Sequence, residues 1–406
     1  MGGKVDPSAT DMMDLAGGQW DRILLSAVIF FSLGVLVSRA ERVKRTLARN
    51  PWLLVLFACM MLSVLWSNFP DITLRRCIRS VGTAIVVLVP LTEHDPLEAV
   101  RSVLCRVYFV HIPLSIVTIK YFRTVGVAYN WSGAEEMWIG LTTHKNCLGQ
   151  VAMCCGLLCT WEILRNWSKK KLTLNLLFLA LSLWVLRGSP SSHSSTAILG
   201  FIAGAGVLLG LQLIQKRAAR AKRIILASTI VFALSVPLVN LAFEVFDTTP
   251  IKLVLTATGR DLTLTDRTLL WTDVLNNAAK NPVLGVGFGA FWVGHIGYDM
   301  YPLPNWSQKT PEWRPNQGHN GYIDVCVDLG VIGVVLLLVF LGRAFAGALN
   351  DLQHRFEFAR LRLALLVSIV INNMAEASFL KGTHSLWFVL LLVAINVPSF
   401  RINKEN

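Results

Sequence analysis

Apolar runs of roughly 17 to 25 residues, the length that spans a hydrocarbon core, recur along this chain from its first quarter to its last. A run that long has no face to offer water, so it is buried in lipid or in protein. We read eleven apolar segments, the third of them short, at 22–38, 51–67, 80–92, 103–121, 147–165, 172–187, 196–214, 224–243, 322–342, 361–379 and 384–399. Composition agrees: 54% of the 406 residues are hydrophobic and 16% charged, against about 25% charged in soluble domains. The mean hydropathy is +0.54. The expected fold is an all-α polytopic membrane protein with about 11 (10–12) transmembrane helices.

The net charge of +13 would suit a nucleic-acid surface, but its distribution excludes one. Arg39, Arg42, Lys44, Arg45 and Arg49 follow the first segment; Lys169 to Lys171 follow the fifth. Lys216, Arg217, Arg220, Lys222 and Arg223 follow the seventh, and Arg355, Arg360 and Arg362 the ninth. Short basic connections of this kind mark the cytoplasmic side. The acidic tail 1–21 then lies outside, with a first bundle at 22–243, a second at 322–400 and a cytoplasmic tail at 401–406. The outward connections are 67–80, 123–146, 187–195, 243–321 and 381–384. One of them, 244–321, forms a large loop, and long structured loops in compact proteins are usually functional. The loop carries an amphipathic helix, Arg267–Ala279, closed by Asn281-Pro282. The eight cysteines lie mostly within apolar runs and show no metal-ligand spacing.

Several polar features interrupt this pattern. Gly285, Gly287 and Gly289 resemble half a dinucleotide fingerprint, but no strand precedes them and no acidic partner follows, so they predict a tight, close-packed turn. Arg75, Arg76, Arg79, Arg187, Arg260, Arg267 and Arg314 accumulate on the outward side against the charge rule. Arginine is suited to bidentate phosphate binding, and such a cluster would hold a polyanion. His319 and Asn320 precede the ninth segment on the water side, where an imidazole can exchange a proton near neutral pH. His144, Lys145 and Asn146 form a second polar entry, for which Asn as a helix cap is the structural alternative. Glu376, with Asn372 and Asn373, is an intramembrane polar cluster. HExxH metal sites, a nucleophile elbow and a Walker A loop are absent from the sequence.

Taken in order, these pieces resemble the bacterial O-antigen ligase/polymerase superfamily, and within it the exopolysaccharide (succinoglycan-type) polymerase branch. The matching residues are Trp66, Ser67 and Pro70 with Leu74, Arg75 and Arg76; Gly140 to Asn146 with Gly149; and Ser194 to Ala197. They continue with Thr263 to Thr268 and Trp271, Asn281 and Pro282 through Trp292, and His319 to Tyr322 with Asp324, Gly330 and Gly333. Thr265-Asp266-Arg267 departs from the family's Thr-Gly-Arg, and Ser192-His193-Ser194 lacks the Arg common in ligases. The second departure favours polymerase over ligase.

The resemblance implies a metal-independent glycosyltransferase of the lipid-embedded C-type fold, with no cofactor, in the bacterial inner membrane with its active site facing the periplasm. It implies His319 as catalytic base and Arg267, Arg260, Arg75, Arg76 and Arg79 around a donor pyrophosphate. Asn320, Tyr322, Asp324, His144, Lys145, Asn146, Asp261 and Trp271 are the expected supporting or acceptor-side residues, with Asn320 or Asp324 orienting the histidine. The implied partners are an undecaprenyl-pyrophosphate-linked glycan and membrane lipids, with room for a chain-length-regulating copolymerase. Three functions stay open at this point: polymerase, ligase to lipid A-core, and polar-solute transporter or flippase.

Overall fold

The computed structural model describes residues 19–129, 135–165, 168–190, 193–213, 267–293, 300–309 and 315–398. It is mostly helical. Helices α1 (Gln19–Val37), α2 (Ala40–Ala48), α3 (Pro51–Leu62) and α4 (Pro70–Leu91) are followed by α5 (Pro96–Tyr121) and the short α6 (Arg123–Gly126). A two-stranded antiparallel hairpin pairs β1 (Val127–Tyr129) with β2 (Glu136–Trp138). Then come α7 (Lys145–Arg165), α8 (Lys169–Arg187), α9 (Ser195–Leu213), α10 (Arg267–Ala278) and α11 (Pro304–Lys309). The chain continues with α12 (Gly321–Asp351), α13 (Phe356–Asn372) and α14 (Ser385–Ala394).

Five of the described helices, α1, α5, α7, α9 and α12, are long and apolar enough to cross a membrane. The pair α2 and α3, bent by 89°, would make a sixth as one broken span. Exposed side chains support a lipid-facing surface: Trp20, Leu24, Phe30, Phe31 and Val37 of α1 point outward, an apolar area that a water-facing protein would cover. The chain is a polytopic membrane protein. Expected segments 51–67, 80–92, 172–187, 361–379 and 384–399 fall on the shorter or less apolar helices α3, α4, α8, α13 and α14, and 224–243 lies outside the described residues.

Two expected boundaries move. The segment expected at 80–92 starts at Pro70, so Arg75, Arg76 and Arg79 sit on a helix rather than in a connection. Asp71 in its first turn complements the helix N-terminus. The segment expected at 361–379 stops at Asn372. Residues from Asn373 to His384 then run as turns, because the polar groups at this point bond elsewhere.

The chain forms two compact units. The first comprises 1–89, 238–341 and 377–387; the second 90–237, 342–376 and 388–406. In the second, α7 is the central helix, packed against α5, α8, α9 and α13, while α9 also packs on α13. Glycines allow the close approach: a Cβ on Gly149 would stand 2.7 Å from Ser194 Cβ, and one on Gly156 2.9 Å from the Phe201 ring. Arg360 and Arg362, expected as topology charges, are fully buried. Arg362 bonds Asp351 Oδ2 (2.7 Å), Val393 O (2.6 Å) and Asn396 Oδ1 (2.8 Å), which ties α13 to the end of α14. A buried guanidinium is tolerated only with its donors paired in this way.

In the first unit α12 is broken. Gly330 has φ +64° and ψ −165°, which interrupts the helix in its first third. The loop after α10 fills the break. Val331 N donates to Pro282 O (2.8 Å), Val286 N to Val327 O (3.0 Å) and Gly287 N to Asp328 O (2.9 Å). Backbone groups freed in a membrane helix need such internal partners.

Candidate functional site

The site is assembled around that break, from segments far apart in the chain. The glycine turn comes first. Gly285, Gly287 and Gly289 all have positive φ, and a Cβ on Gly287 would meet Ser67 Cβ at 2.5 Å. The turn is thus close-packed, as its sequence predicts. The stretch Ser63 to Asn68 holds it: Phe288 N donates to Ser63 Oγ (2.9 Å) and Trp66 Nε1 to Leu284 O (3.2 Å). Asn68 Nδ2 donates to the Tyr301 hydroxyl at 2.7 Å. Burial pushes the Tyr301 phenol above its ordinary range, against the lowering effect of that Asn68 hydrogen bond.

Arg76 completes the clamp. Its guanidinium donates to Gly289 O and, at 2.9 Å, to Trp292 O. Gly289 N in turn donates to Asp328 Oδ2 (2.8 Å). Two of the Arg76 nitrogens are therefore committed to loop backbone. Arg75 is exposed and Arg79 half-buried on the same helix. Arg267 is half-buried at the start of α10. Arg260 and Asp261 lie outside the described residues.

An aromatic cluster packs beside α10, which contributes Trp271. Trp271, Trp292, Tyr301 and Trp306 are buried together with Ile323 and Val327. Trp271 donates through Nε1 to Gly318 O at 2.7 Å. Asp273, also buried, accepts from Asn305 Nδ2 (2.6 Å) and Trp306 N (2.9 Å), fixing α11 on α10.

His319 stands at the mouth of α12. Its φ of +49° is left-handed, a strained state for a residue with a Cβ. Asn320 caps the helix: Oδ1 accepts from Tyr322 N (3.0 Å) and Ile323 N (3.3 Å). Tyr322 is half-buried and meets Phe379 edge-on, with ring centroids 5.1 Å apart. Asp324 is the hub. Oδ1 accepts from Gly318 N (2.9 Å) and Trp292 Nε1 (3.1 Å), and Oδ2 from Lys381 Nζ (3.1 Å). Lys381 also donates to Gln317 Oε1 (3.0 Å), and Gln317 Nε2 lies 3.4 Å from His319 Nδ1.

His144, Lys145 and Asn146 belong to the second unit. There the capping alternative falls to the histidine: His144 Nδ1 accepts from Asn146 N at 3.3 Å. Asn146 instead donates through Nδ2 to Glu376 Oε1 at 2.5 Å, and Gln150 donates to Asn372 Oδ1 at 2.7 Å. The polar cluster at Glu376 is thereby joined to the start of α7.

The first unit thus gathers His319, Asn320, Tyr322, Asp324, Trp271 and Arg76 into one scaffold. Sequence reasoning missed Lys381, Gln317 and Asp328. Lys381 carried a legible signal, being a cation in an outward connection like the arginines singled out above. Asp328, four residues after Asp324 in an apolar run, is an acid in a candidate membrane helix, which is itself a signal. Gln317 carried none.

Comparison with known proteins agrees with the ordered motifs. Residues 177–338 match the family model described as O-Antigen ligase. The Exopolysaccharide production protein ExoQ of Rhizobium meliloti (strain 1021) is 25% identical over 351 residues, covering 85% of this chain and 76% of that protein. Residues 177–338 are therefore similar to the O-antigen ligase family, and the chain resembles, over most of its length, an exopolysaccharide production protein.

Proposed function

We propose that this chain polymerises undecaprenyl-pyrophosphate-linked oligosaccharide repeats into a surface polysaccharide, as a metal-independent glycosyltransferase of the bacterial inner membrane. In this reading the chain crosses the membrane about eleven times, and the loop 244–321 and the site face the periplasm, the side on which donor and acceptor meet. The observation that carries the reading is His319, a strained histidine set among hydrogen-bonded loops at the mouth of a broken helix, within the residues that match the ligase family. The similarity to an exopolysaccharide production protein favours a polymer product.

The chemistry follows from the donor. Its pyrophosphate is already a good leaving group, so no nucleotide is needed. The acceptor hydroxyl attacks the anomeric carbon, the bond from that carbon to the pyrophosphate breaks, and undecaprenyl pyrophosphate departs. The hydroxyl proton passes to His319. A positioned base of this kind contributes about 10²–10⁴-fold. Arg267 and Arg260, with Arg75 and Arg79, are the cations proposed for the diphosphate, and fixed cations stabilise the charge that develops on departure. Arg76 contributes its charge while holding the glycine turn. Asp261 serves the acceptor side. A chain-length-regulating copolymerase is compatible with this scheme.

The second reading is a ligase moving a finished glycan to lipid A-core, which the family description itself favours. Purified full-length protein incubated with lipid-linked repeats alone separates the two. A ladder of longer lipid-linked chains is expected. No extension until a lipid A-core acceptor is added would overturn polymerisation in favour of ligation. His319→Ala should leave no detectable ladder, and full activity in that variant would refute the assigned base.

A further inference from the structure

The hydrogen-bond chain behind His319 has a direction that its donors and acceptors dictate. An ammonium group only donates, so the Gln317 atom 3.0 Å from Lys381 Nζ is the amide oxygen. The amide nitrogen then faces the ring, 3.4 Å from Nδ1. An amide NH2 also only donates, so Nδ1 accepts, and a neutral imidazole has its single hydrogen on Nε2. Turning the amide over would set NH2 against the ammonium and lose the bond to Lys381.

Lys381 is held where it can impose this. Asp324 Oδ2 accepts from its ammonium at 3.1 Å, and the other oxygen of that carboxylate is fixed by Gly318 N and Trp292 Nε1. The turn that carries Lys381 is pinned on both sides. Gly382 lies against the Arg79–Ser80 backbone, where a Cβ would come within 2.6 Å, and its carbonyl accepts from Thr83 Oγ1. Phe379 packs on Tyr322. Leu380, immediately before the lysine, has φ +63°, and with His319 it is one of two non-glycine residues at positive φ among the described residues. The chain from Lys381 to the imidazole thus has strained backbone at both ends, a feature that clusters at active sites.

We propose that Lys381 is a positioning residue: it orients the Gln317 amide so that His319 keeps its lone pair on Nδ1 and its hydrogen on Nε2. For its consequence the proposal rests on His319 being the reacting histidine. Nδ1 then takes the acceptor proton, and the Nε2–H is a donor for the oxygen of the departing diphosphate. The Gln317 contact, at the long end of hydrogen-bond distances, is one that an incoming hydroxyl can replace.

The tautomer is read directly. Full-length protein with ¹⁵N-labelled histidine is reconstituted in lipid bilayers at mildly alkaline pH, and the His319 ring signals are assigned by their loss in His319→Ala. The expected result is a protonated Nε2 and an unprotonated Nδ1. Lys381→Arg, whose guanidinium also only donates, should keep that pattern. Gln317→Glu, whose carboxylate only accepts, should move the hydrogen to Nδ1. In Lys381→Met the preference should disappear, with kcat falling about tenfold or more and KM for the lipid-linked donor little changed. Wild-type protein protonated on Nδ1, or an unchanged ring in Gln317→Glu, overturns the proposal, and neither measurement needs Lys381→Met to fold. Full polymerisation by His319→Ala would instead defeat the catalytic reading while leaving the tautomer assignment standing.

Discussion

The sharpest stability prediction concerns Gly330. At φ +64° and ψ −165° it occupies a region essentially reserved for glycine, worth about 1–3 kcal/mol against any other residue. An alanine Cβ would also stand 2.2 Å from Val283 O and 2.3 Å from Val283 C. These are backbone atoms, so the loop itself must move. Three backbone hydrogen bonds hang on its position, from Val331, Val286 and Gly287, each worth about 1 kcal/mol net. Gly330→Ala should therefore cost about 3–6 kcal/mol. Gly342→Ala provides an internal control on the same helix. Nothing lies within 4 Å of its Cβ position, so it should be neutral or gain up to about 1 kcal/mol in helix propensity. Thermal unfolding of both variants in one detergent, followed by tryptophan fluorescence, should separate them by on the order of 10 °C. If Gly330→Ala melted with Gly342→Ala and kept its polymer ladder, the loop in the break would not be holding the site.

Substitutions at three further positions test the scaffold. Asp324→Ala strands the Gly318 and Trp292 donors and removes one of the two acceptors of the Lys381 ammonium; at about 1–3 kcal/mol per buried unpaired group, expression in the membrane should fall sharply, while Asp324→Asn should be intermediate in melting temperature. Arg76→Lys replaces two directed bonds to Gly289 O and Trp292 O with one rotating ammonium, so activity should drop even where the charge is kept; wild-type turnover would show that the fork is unused. Glu376→Ala leaves Asn146 Nδ2 without its carboxylate and should cost about 1–3 kcal/mol, most of which Glu376→Gln recovers by keeping an acceptor oxygen; equal melting of the two variants would refute that pairing.

The helical architecture was legible because it follows from hydrophobic length alone. The helix beginning at Arg267 and the glycine turn also follow from local chemistry: period and the absence of a Cβ. Where local reasoning misjudged the fold, a distant partner decided the outcome. Helix α13 ends at Asn372 rather than at 379. The polar residues Asn372 and Glu376 have partners on α7, Gln150 and Asn146, and hydropathy has no access to those. The segment expected at 80–92 begins ten residues earlier, at Pro70, because Arg76 has carbonyls to bond and Cys77 and Ser80 are buried. A window average counts such charges against a helix.

The site divides along the same line. Residues whose type announces a task, such as His319, Asn320, Asp324 and the outward arginines, could be named without a structure, but their roles could not be apportioned. Sequence offered Asn320 or Asp324 to orient the histidine. In the fold the Asn320 amide oxygen caps α12 and Asp324 holds Gly318, Trp292 and Lys381, while the ring contact runs through Gln317. The break at Gly330 explains why. A continuous helix from Gly321 would satisfy its own backbone and leave the 282–289 loop nothing to bind. With the helix interrupted, Val286, Gly287 and Val331 pair across to or from that loop. The loop then brings Gly289 and Trp292 to Arg76 and Asp324. One glycine among apolar residues thus sets which polar groups meet, and its effect depends on residues more than forty positions away.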